Sequence, residues 1–566
     1  MNLISRKEFI GASGAFAAMP LSAADEKPLW KAGIVTDTHV KRTRESCALV
    51  QAACDLFARH NIDVFVNCGD IADYYYEEAY PILDEITRGA FPDKKPVRLW
   101  VYANHDRLHR EKESWKSVFA DVKRLLNATN DIYDCIDFKG MPLVTLPQFW
   151  VGEKEVAYKL LADVAARYPT GPIFVFDHVP PVDTVDGSVT WGGYAAHQLY
   201  SKYPRVIHIC GHAHSSLRSE LNIWQGAFTA VSAGCLDGWG GHAVARPPEG
   251  KRSYGALIME VYRSKIVFRR FDVRTGREYA AASPWTLPLP FKAESAPYRR
   301  AERVSAAQVP SFPAGARLAI SADNPFTAVT LGIPSVRTEE GVYRHRVQVF
   351  DAKGGQIVMC DVFGQFHLPV DERAPVLERT LNASLFDPGV NYRVRVTPCN
   401  CFGVGGKPIE ASFTAPGRNP SATVIFETDD PVRDCRFLRG LDGGSPLPAE
   451  DGWFPVASGN NRLEFPAYVW DGIARGTRLR FMAEVETDQT SCKTWTMVLR
   501  HPNPLKNATG RVATPNGCSG RMRYAFDFVN RHKRPAYYLL VREGGNGRIR
   551  FSRIRIERLD PEKKDA

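Results

Sequence analysis

The sequence predicts a multidomain protein: a layered α/β domain followed by two all-β sandwiches. Its 566 residues suffice for about three domains at roughly 100–200 residues each. From Lys31 to about Tyr279, short β-branched runs alternate with stretches of helical periodicity. Beyond a proline-punctuated segment the pattern becomes strands separated by turn residues.

Apolar residues make up 44% and charged residues 24% of the chain, values of a soluble globular protein that exclude disorder and collagen-like repeats. The formal net charge is +10, and between His501 and Arg558 stand 13 Lys/Arg against 3 Asp/Glu. Such a stretch suits either a polyanion or plain solvent, and no specific nucleic-acid partner is predicted from it.

Residues 1–24 read as an export signal: Arg6 and Lys7 precede a short apolar run from Phe9 to Leu21 and small residues Ser22-Ala23-Ala24. Ser5-Arg6-Lys7-Glu8-Phe9-Ile10 resembles a twin-arginine motif with Lys in place of the second Arg. The expected location is therefore periplasmic, cell-surface or secreted, in a bacterium. No later stretch approaches ~18 uninterrupted apolar residues, so no transmembrane segment is expected. Twelve Cys in an exported chain permit disulfides, but Cys68 and Cys210 lie in apolar strand-like runs and read as buried thiols.

In the first domain, residues 30–283, strands are expected at Ala32–Thr36, Val64–Cys68, Val97–Tyr102, Ile173–Phe176 and Arg205–Cys210. Helices are expected at Ser46–Arg59, Glu113–Leu126 and Lys154–Tyr168, and Ala256–Phe271 reads as a hairpin turning near Ser264. Residues 284–309, with Pro284, Pro288, Pro290 and Pro297, are expected to be a linker. In residues 310–416, strand alternation at Tyr343–Phe350 and Tyr392–Thr397 frames Phe386-Asp387-Pro388-Gly389-Val390-Asn391-Tyr392, which looks like a tyrosine corner. With Asn400, Gly403, Gly405 and Pro408, this region resembles a fibronectin type III domain. Residues 421–560, with alternation from Arg478–Val485 to Arg548–Ile556, resemble the jelly-roll sandwiches of carbohydrate-binding modules. That is a likeness of architecture and not of ligand.

Five short motifs begin where predicted strands of the α/β domain end: Asp37-Thr38-His39, Gly69-Asp70, Asn104-His105-Asp106, His178, and Gly211-His212-Ala213-His214. Ligands of α/β sheets gather at the C-terminal strand ends, so these side chains can converge across long sequence separations. Carboxylate, imidazole and amide together suit Mn, Fe or Zn, and the lack of a thiolate argues against a structural zinc site. Taken singly, Asp37 and Asp70 could cap helices, and Asn104-His105-Asp106 could form a turn. His178, His212 and His214 could be buried structural histidines.

As an ordered set the motifs resemble the calcineurin-like metallophosphoesterases over about Lys31–Phe271, with Ala103 where that family usually has Gly. The resemblance implies an α/β metallophosphoesterase sandwich holding two divalent or trivalent metal ions. Asp37, His39, Asp70 and His214 would bind the first, and Asp70, Asn104, His178 and His212 the second, with Asp70 as the bridge. It implies a metal-bridged hydroxide attacking phosphorus, and His105 assisting the leaving group with Asp106 orienting its ring.

Weaker candidates surround these. Trp239 and His242 stand in a glycine-rich loop and are candidates for contact with substrate, Tyr74-Tyr75-Tyr76 could wall a cleft, and Asp177 could support His178. The expected function is that of an exported phosphoester hydrolase, phosphatase or phosphodiesterase, whose C-terminal sandwich is open to a glycan or other surface ligand. The alternative is a cell-surface carbohydrate-binding or adhesion protein with a vestigial metal domain.

Overall fold

The computed structural model describes residues 26–73, 76–107, 114–238, 252–279, 284–322, 328–336, 341–417, 422–439, 445–446, 448–456, 459–488, 495–500, 510–513, 520–533, 535–543 and 547–559. The expected export signal, and Tyr74, Tyr75, Trp239 and His242, lie outside the described residues.

Three parallel strands open the α/β domain: β1 (Trp30–Val35), β2 (Val64–Asn67) and β3 (Val97–Trp100). A second sheet follows, made of β4 (Asp134–Phe138), β5 (Met141–Thr145), β6 (Ile173–Phe176), β7 (Val206–Cys210), β8 (Ile223–Gln225) and β9 (Thr229–Ser232). The chain then returns to the first sheet through β10 (Gly255–Val261), β11 (Lys265–Asp272), β12 (Arg277–Glu278) and β13 (Trp285–Pro288). The first sheet runs β12-β11-β10-β1-β2-β3 with β13 also on β11, and the second runs β4-β5-β6-β7-β9-β8.

The two sheets face each other across a core that includes Ala32, Ile34, Val66, Leu99, Phe174 and Ile209. Helices α1 (Ala48–Arg59), α2 (Tyr76–Gly89) and α3 (Trp115–Leu126) cover the outer face of the first sheet, and α4 (Lys154–Arg167) that of the second. The parallel strands are buried on both faces, which is why they read as continuous apolar runs. Helix α2 was not foreseen. Pro81 inside it breaks the helical signature, although an amphipathic face still buries Tyr80 and Leu83. Among the described residues no helix is long and apolar enough to cross a membrane.

The expected linker needs correction. Trp285–Pro288 is an edge strand paired to β11, with Trp285 buried beneath Arg270, whose guanidinium lies 4.2 Å from the indole ring. Prolines 284, 288 and 290 disguise the segment because an edge strand tolerates them and a central strand does not.

The second domain packs a three-stranded sheet (Ala319–Ser321, Ala328–Pro334, Val376–Asn382) on a four-stranded one (Gln356–Phe363, Arg344–Phe350, Asn391–Cys399, Ile409–Thr414), all antiparallel. Its tyrosine corner is present, with the Asp387 N–H donating to the Tyr392 hydroxyl oxygen at 2.9 Å. The third domain packs two five-stranded antiparallel sheets around Phe481, Leu499, Leu539 and Ile556. Its C-terminal basic stretch is folded onto carboxylates: Arg521 and Arg523 onto Glu484, Arg550 onto Glu486, Arg553 onto Glu427 and Arg555 onto Glu557. Four of these pairs cross between strands and Arg555–Glu557 lies along one, so the arginines are neutralised within the sheet. Ten cysteines are free among the described residues, and Cys68 and Cys210 are buried thiols as expected.

Candidate metal centre

Each ligand-bearing loop leaves the C-terminal end of a parallel strand: Asp37 after β1, Asp70 after β2, Asn104 after β3, His178 after β6 and His212 after β7. The loops are tied to one another. The Asp37 N–H donates to the Gly69 carbonyl at 2.9 Å, His39 to Asp70 at 3.0 Å, and Gly211 to His178 at 2.9 Å. Five of the residues take left-handed backbone: Asp37 (φ 50°), His39 (44°), Asp70 (49°), His212 (66°) and His214 (49°). Such conformations cost about 1–3 kcal/mol each for a residue with a side chain and gather where function requires them.

Two glycines make the close approach feasible. A Cβ at Gly69, itself at φ 99°, would stand 2.7 Å from His178 Nδ1, and one at Gly211 would collide with Thr36 Oγ1 and Asp37 Oδ2. Ala103 is different: it is fully buried and needs no left-handed backbone, so alanine fits there.

Among the described residues three groups converge, Asp37-His39-Asp70-His214, Asp70-His178-His212 and His39-Asp73-His105, with donor atoms in each within 4.8 Å of one another; the first two hold expected ligands. Asp70 belongs to both of these. His178 Nδ1–H donates to the Cys68 carbonyl at 2.8 Å, which turns Nε2 to within 3.2 Å of Asp70 Oδ2. His212 Nδ1 lies 3.2 Å from His178 Nε2, and His39 Nε2 lies 3.2 Å from His214 Nε2. Ring nitrogens face to face at that distance require a proton or a cation between their lone pairs.

Charge agrees with geometry. Burial opposes ionisation of Asp37, but His214 and His178 outweigh it and hold the carboxyl well below its usual range. Burial likewise opposes ionisation of Asp70, which His178 outweighs. Burial disfavours the charged His178, yet Asp70 and Asp37 raise it to about 9, the mark of a pocket that attracts cations. His212 is pushed down to about 4 by burial and then by His178.

Asn104, expected as a further ligand, stands after β3. Its N–H donates to Gln148 Oε1 at 2.7 Å, while its own Oδ1 is buried with no hydrogen-bond partner. A buried amide oxygen left without a donor is costly, and a cation would satisfy it. The residues present therefore fit a bound metal.

Beside the ligands the structure corrects one role. Asp106 does not orient the His105 ring: it is buried, and its carboxylate accepts from the N–H groups of Ile71, Ala72 and Ala103 and from the Tyr80 hydroxyl. It thus braces the Gly69-Asp70 loop against the Asn104 loop. The partner of His105 is Asp73, whose Oδ1 lies 2.5 Å from His105 Nδ1 and 3.1 Å from His39 Nδ1. Burial lowers the affinity of His105 for a proton, but the Asp73 hydrogen bond and the Asp70 and Asp73 charges outweigh it, so its pKa is raised. Asp73 was missed in the sequence, although its place three residues after Asp70, in a loop at a strand end, was a usable signal. Asp177 supports His178 through the backbone: its Oδ1 accepts the His178 N–H at 2.6 Å while Oδ2 is held by Trp150 and Tyr200. Tyr76 begins α2 and packs with the core layer.

Residues 31–216 match the model of the calcineurin-like phosphoesterase family. This domain is a calcineurin-like phosphoesterase. As a member of that family the phosphoesterase domain is that of a metal-dependent phosphoester hydrolase. No curated protein matches the chain. Among solved structures, an archaeal phosphodiesterase shares 12% identity at a TM-score of 0.22, over 42% of this chain and 99% of its own. A Staphylococcus aureus protein assigned as a 5′-nucleotidase shares 12% at 0.27, over 47% of this chain and 55% of its own. The N-terminal cellulose-binding domain of β-1,4-glucanase C from Cellulomonas fimi shares 14% at 0.17, over 24% of this chain and 95% of its own. None of the three is near enough to carry a substrate or ligand across.

Proposed function

We propose that the protein is an exported phosphoester hydrolase that works with two metal ions and uses His105 to assist the leaving group. One relationship supports the reading: Asp70 is shared by both candidate groups, and the buried Asn104 Oδ1 has no hydrogen-bond partner. Bound there, two ions of the Mn, Fe or Zn type would supply Lewis acidity toward the phosphoryl oxygens and a water made nucleophilic near neutral pH.

The chain's own residues do the rest. Asp37, His39, Asp70 and His214 would hold one ion, and Asp70, Asn104, His178 and His212 the other. Asp73 accepts the Nδ1–H of His39 and so directs its Nε2 lone pair inward. By accepting the Nδ1–H of His105 as well, it leaves Nε2 to carry the proton given to the departing oxygen. The raised pKa keeps that proton in place closer to neutral pH.

Residues 1–24 support export. Against the reading of a surface adhesin with a vestigial metal domain stands the convergence of Asp37, His39, Asp70, His178, His212 and His214. A glycan bound by the C-terminal sandwich is compatible with the hydrolase reading, and binding of residues 421–566 to a glycan array tests it. Elemental analysis of the purified protein, followed by phosphomonoester and phosphodiester substrates assayed side by side, tests the main proposal. Two metals per chain and hydrolysis of one ester class are expected. A protein that binds no metal, or cleaves neither class when metal-loaded, overturns it.

A further inference from the structure

The geometry points to Tyr343, a residue of the second domain, as a positioning residue for the metal-bearing loop of the first; the inference rests on the metal-centre reading above. His212 and His214 occupy a loop that is left-handed at both positions, so its shape must be imposed by what packs against it. Ser215, next in the loop, donates its hydroxyl to the Asp186 carbonyl at 3.3 Å. The Asp186 N–H donates to the Leu221 carbonyl at 3.1 Å, farther along the same segment. Asp186 therefore grips the chain on the C-terminal side of two proposed ligands.

The Asp186 carboxylate is buried, and the Tyr343 hydroxyl sits 2.8 and 2.9 Å from its two oxygens. Tyr343 is itself fixed in the second domain. Its ring stacks on Phe366 with centroids 4.9 Å apart, and its N–H donates to the Cys399 carbonyl at 3.0 Å. A second contact to the same segment comes from the stretch before the second domain, where Arg300 Nη2 donates to the Thr184 carbonyl at 2.9 Å. An apolar contact would fasten two domains at least as well as a buried carboxylate does, and without its desolvation cost. What the polar pair adds is register: the hydroxyl fits one position of Asp186, and through Ser215 one position of the His214 loop. Loss of the Tyr343 hydroxyl would leave the buried carboxylate with Ser219 as a side-chain donor and one donor fewer, which favours a shift of the segment. The second domain is thus part of the catalytic unit and not a tether.

The test uses the full chain. Tyr343→Phe and Ser215→Ala cut the path at opposite ends, and the second leaves the domain interface untouched. For each, the Mn2+ dissociation constants are measured by competition with a chelator, alongside kcat, KM and melting temperature on a nitrophenyl phosphoester. Both variants should bind Mn2+ about tenfold more weakly at one site at least and lose a similar factor in kcat with KM little changed. Asp186→Leu should reproduce the loss, and Asp186→Asn, which keeps an acceptor for the hydroxyl, should recover most of it. If both variants bind Mn2+ and turn over within twofold of the parent, whatever their melting temperatures, the inference is overturned. If Ser215→Ala alone is silent while Tyr343→Phe merely melts lower, it is overturned too. A parent that binds no Mn2+ would instead overturn the metal-centre reading, and this inference with it.

Discussion

One carboxylate oxygen of Asp73 lies 2.5 Å from Nδ1 of His105 and 3.1 Å from Nδ1 of His39. A single atom thus sets the tautomer of a proposed metal ligand and that of the proposed acid. Asp73→Ala should release both rings. Its Mn2+ affinity should fall by about 10–100-fold, the usual effect of removing a group that orients a ligand. Because Asp73 raises the His105 pKa, the alkaline limb of kcat/KM should move to lower pH in this variant. A pH profile unchanged from the parent would remove His105 from the role of acid.

His105→Ala separates acid from ligand. It should keep both metals and lose about 10²–10⁴-fold in turnover of esters with poor leaving groups. Nitrophenyl esters, whose leaving group needs little help from a proton, should suffer less. An equal loss across leaving groups would assign His105 to stabilising phosphoryl charge instead.

Asp70 is the only side chain common to both ligand groups. Asp70→Ala should therefore lose both ions, and elemental analysis finding two per chain would sink the dinuclear assignment.

Gly211→Ala should abolish metal binding while adding one methyl group, since its Cβ would press on Thr36 Oγ1 and on the carboxylate of Asp37. Gly140→Ala serves as a comparison: unlike Gly211 it is at positive φ (80°), but nothing lies within 4 Å of an added Cβ. It should cost stability by backbone strain alone and leave metal content as in the parent.

His345 gives a pH dependence away from the metal centre. It is buried in the second domain, stacked on Phe312, with neither ring nitrogen hydrogen-bonded, and burial depresses its pKa to about 4. Between about pH 6.5 and 4 the unfolded chain takes up a proton that the folded chain refuses, so stability is full above pH 6.5 and falls on acidification. The full drop is about 3 kcal/mol by linkage. Melting measured from pH 7 to 4 should show a smaller decline for His345→Phe, and parallel curves would contradict the assignment.

The five chemical blocks were legible in the sequence because metal ligands must be particular residue types at strand ends, and such types in such places are scarce. Asp37, His39, Asp70, His178, His212 and His214, which the fold brings together, can be named as candidates from the sequence alone. The layered α/β pattern and the tyrosine corner at Tyr392 were legible for the same kind of reason, since burial and turn geometry restrict which residues can stand there. What the sequence left undecided was every relationship that depends on which segments meet. Asp106 adjoins His105 in the chain but turns to the Ile71 and Ala72 backbone, while Asp73, 32 residues away, takes the imidazole. The proline-rich stretch hides a strand because edge pairing depends on a neighbour, β11, that periodicity cannot see. Tyr343 reads as an ordinary strand residue until folding sets its hydroxyl against Asp186, 157 positions earlier. Local chemistry selects residue types. Contacts between distant segments are fixed only when burial brings them together.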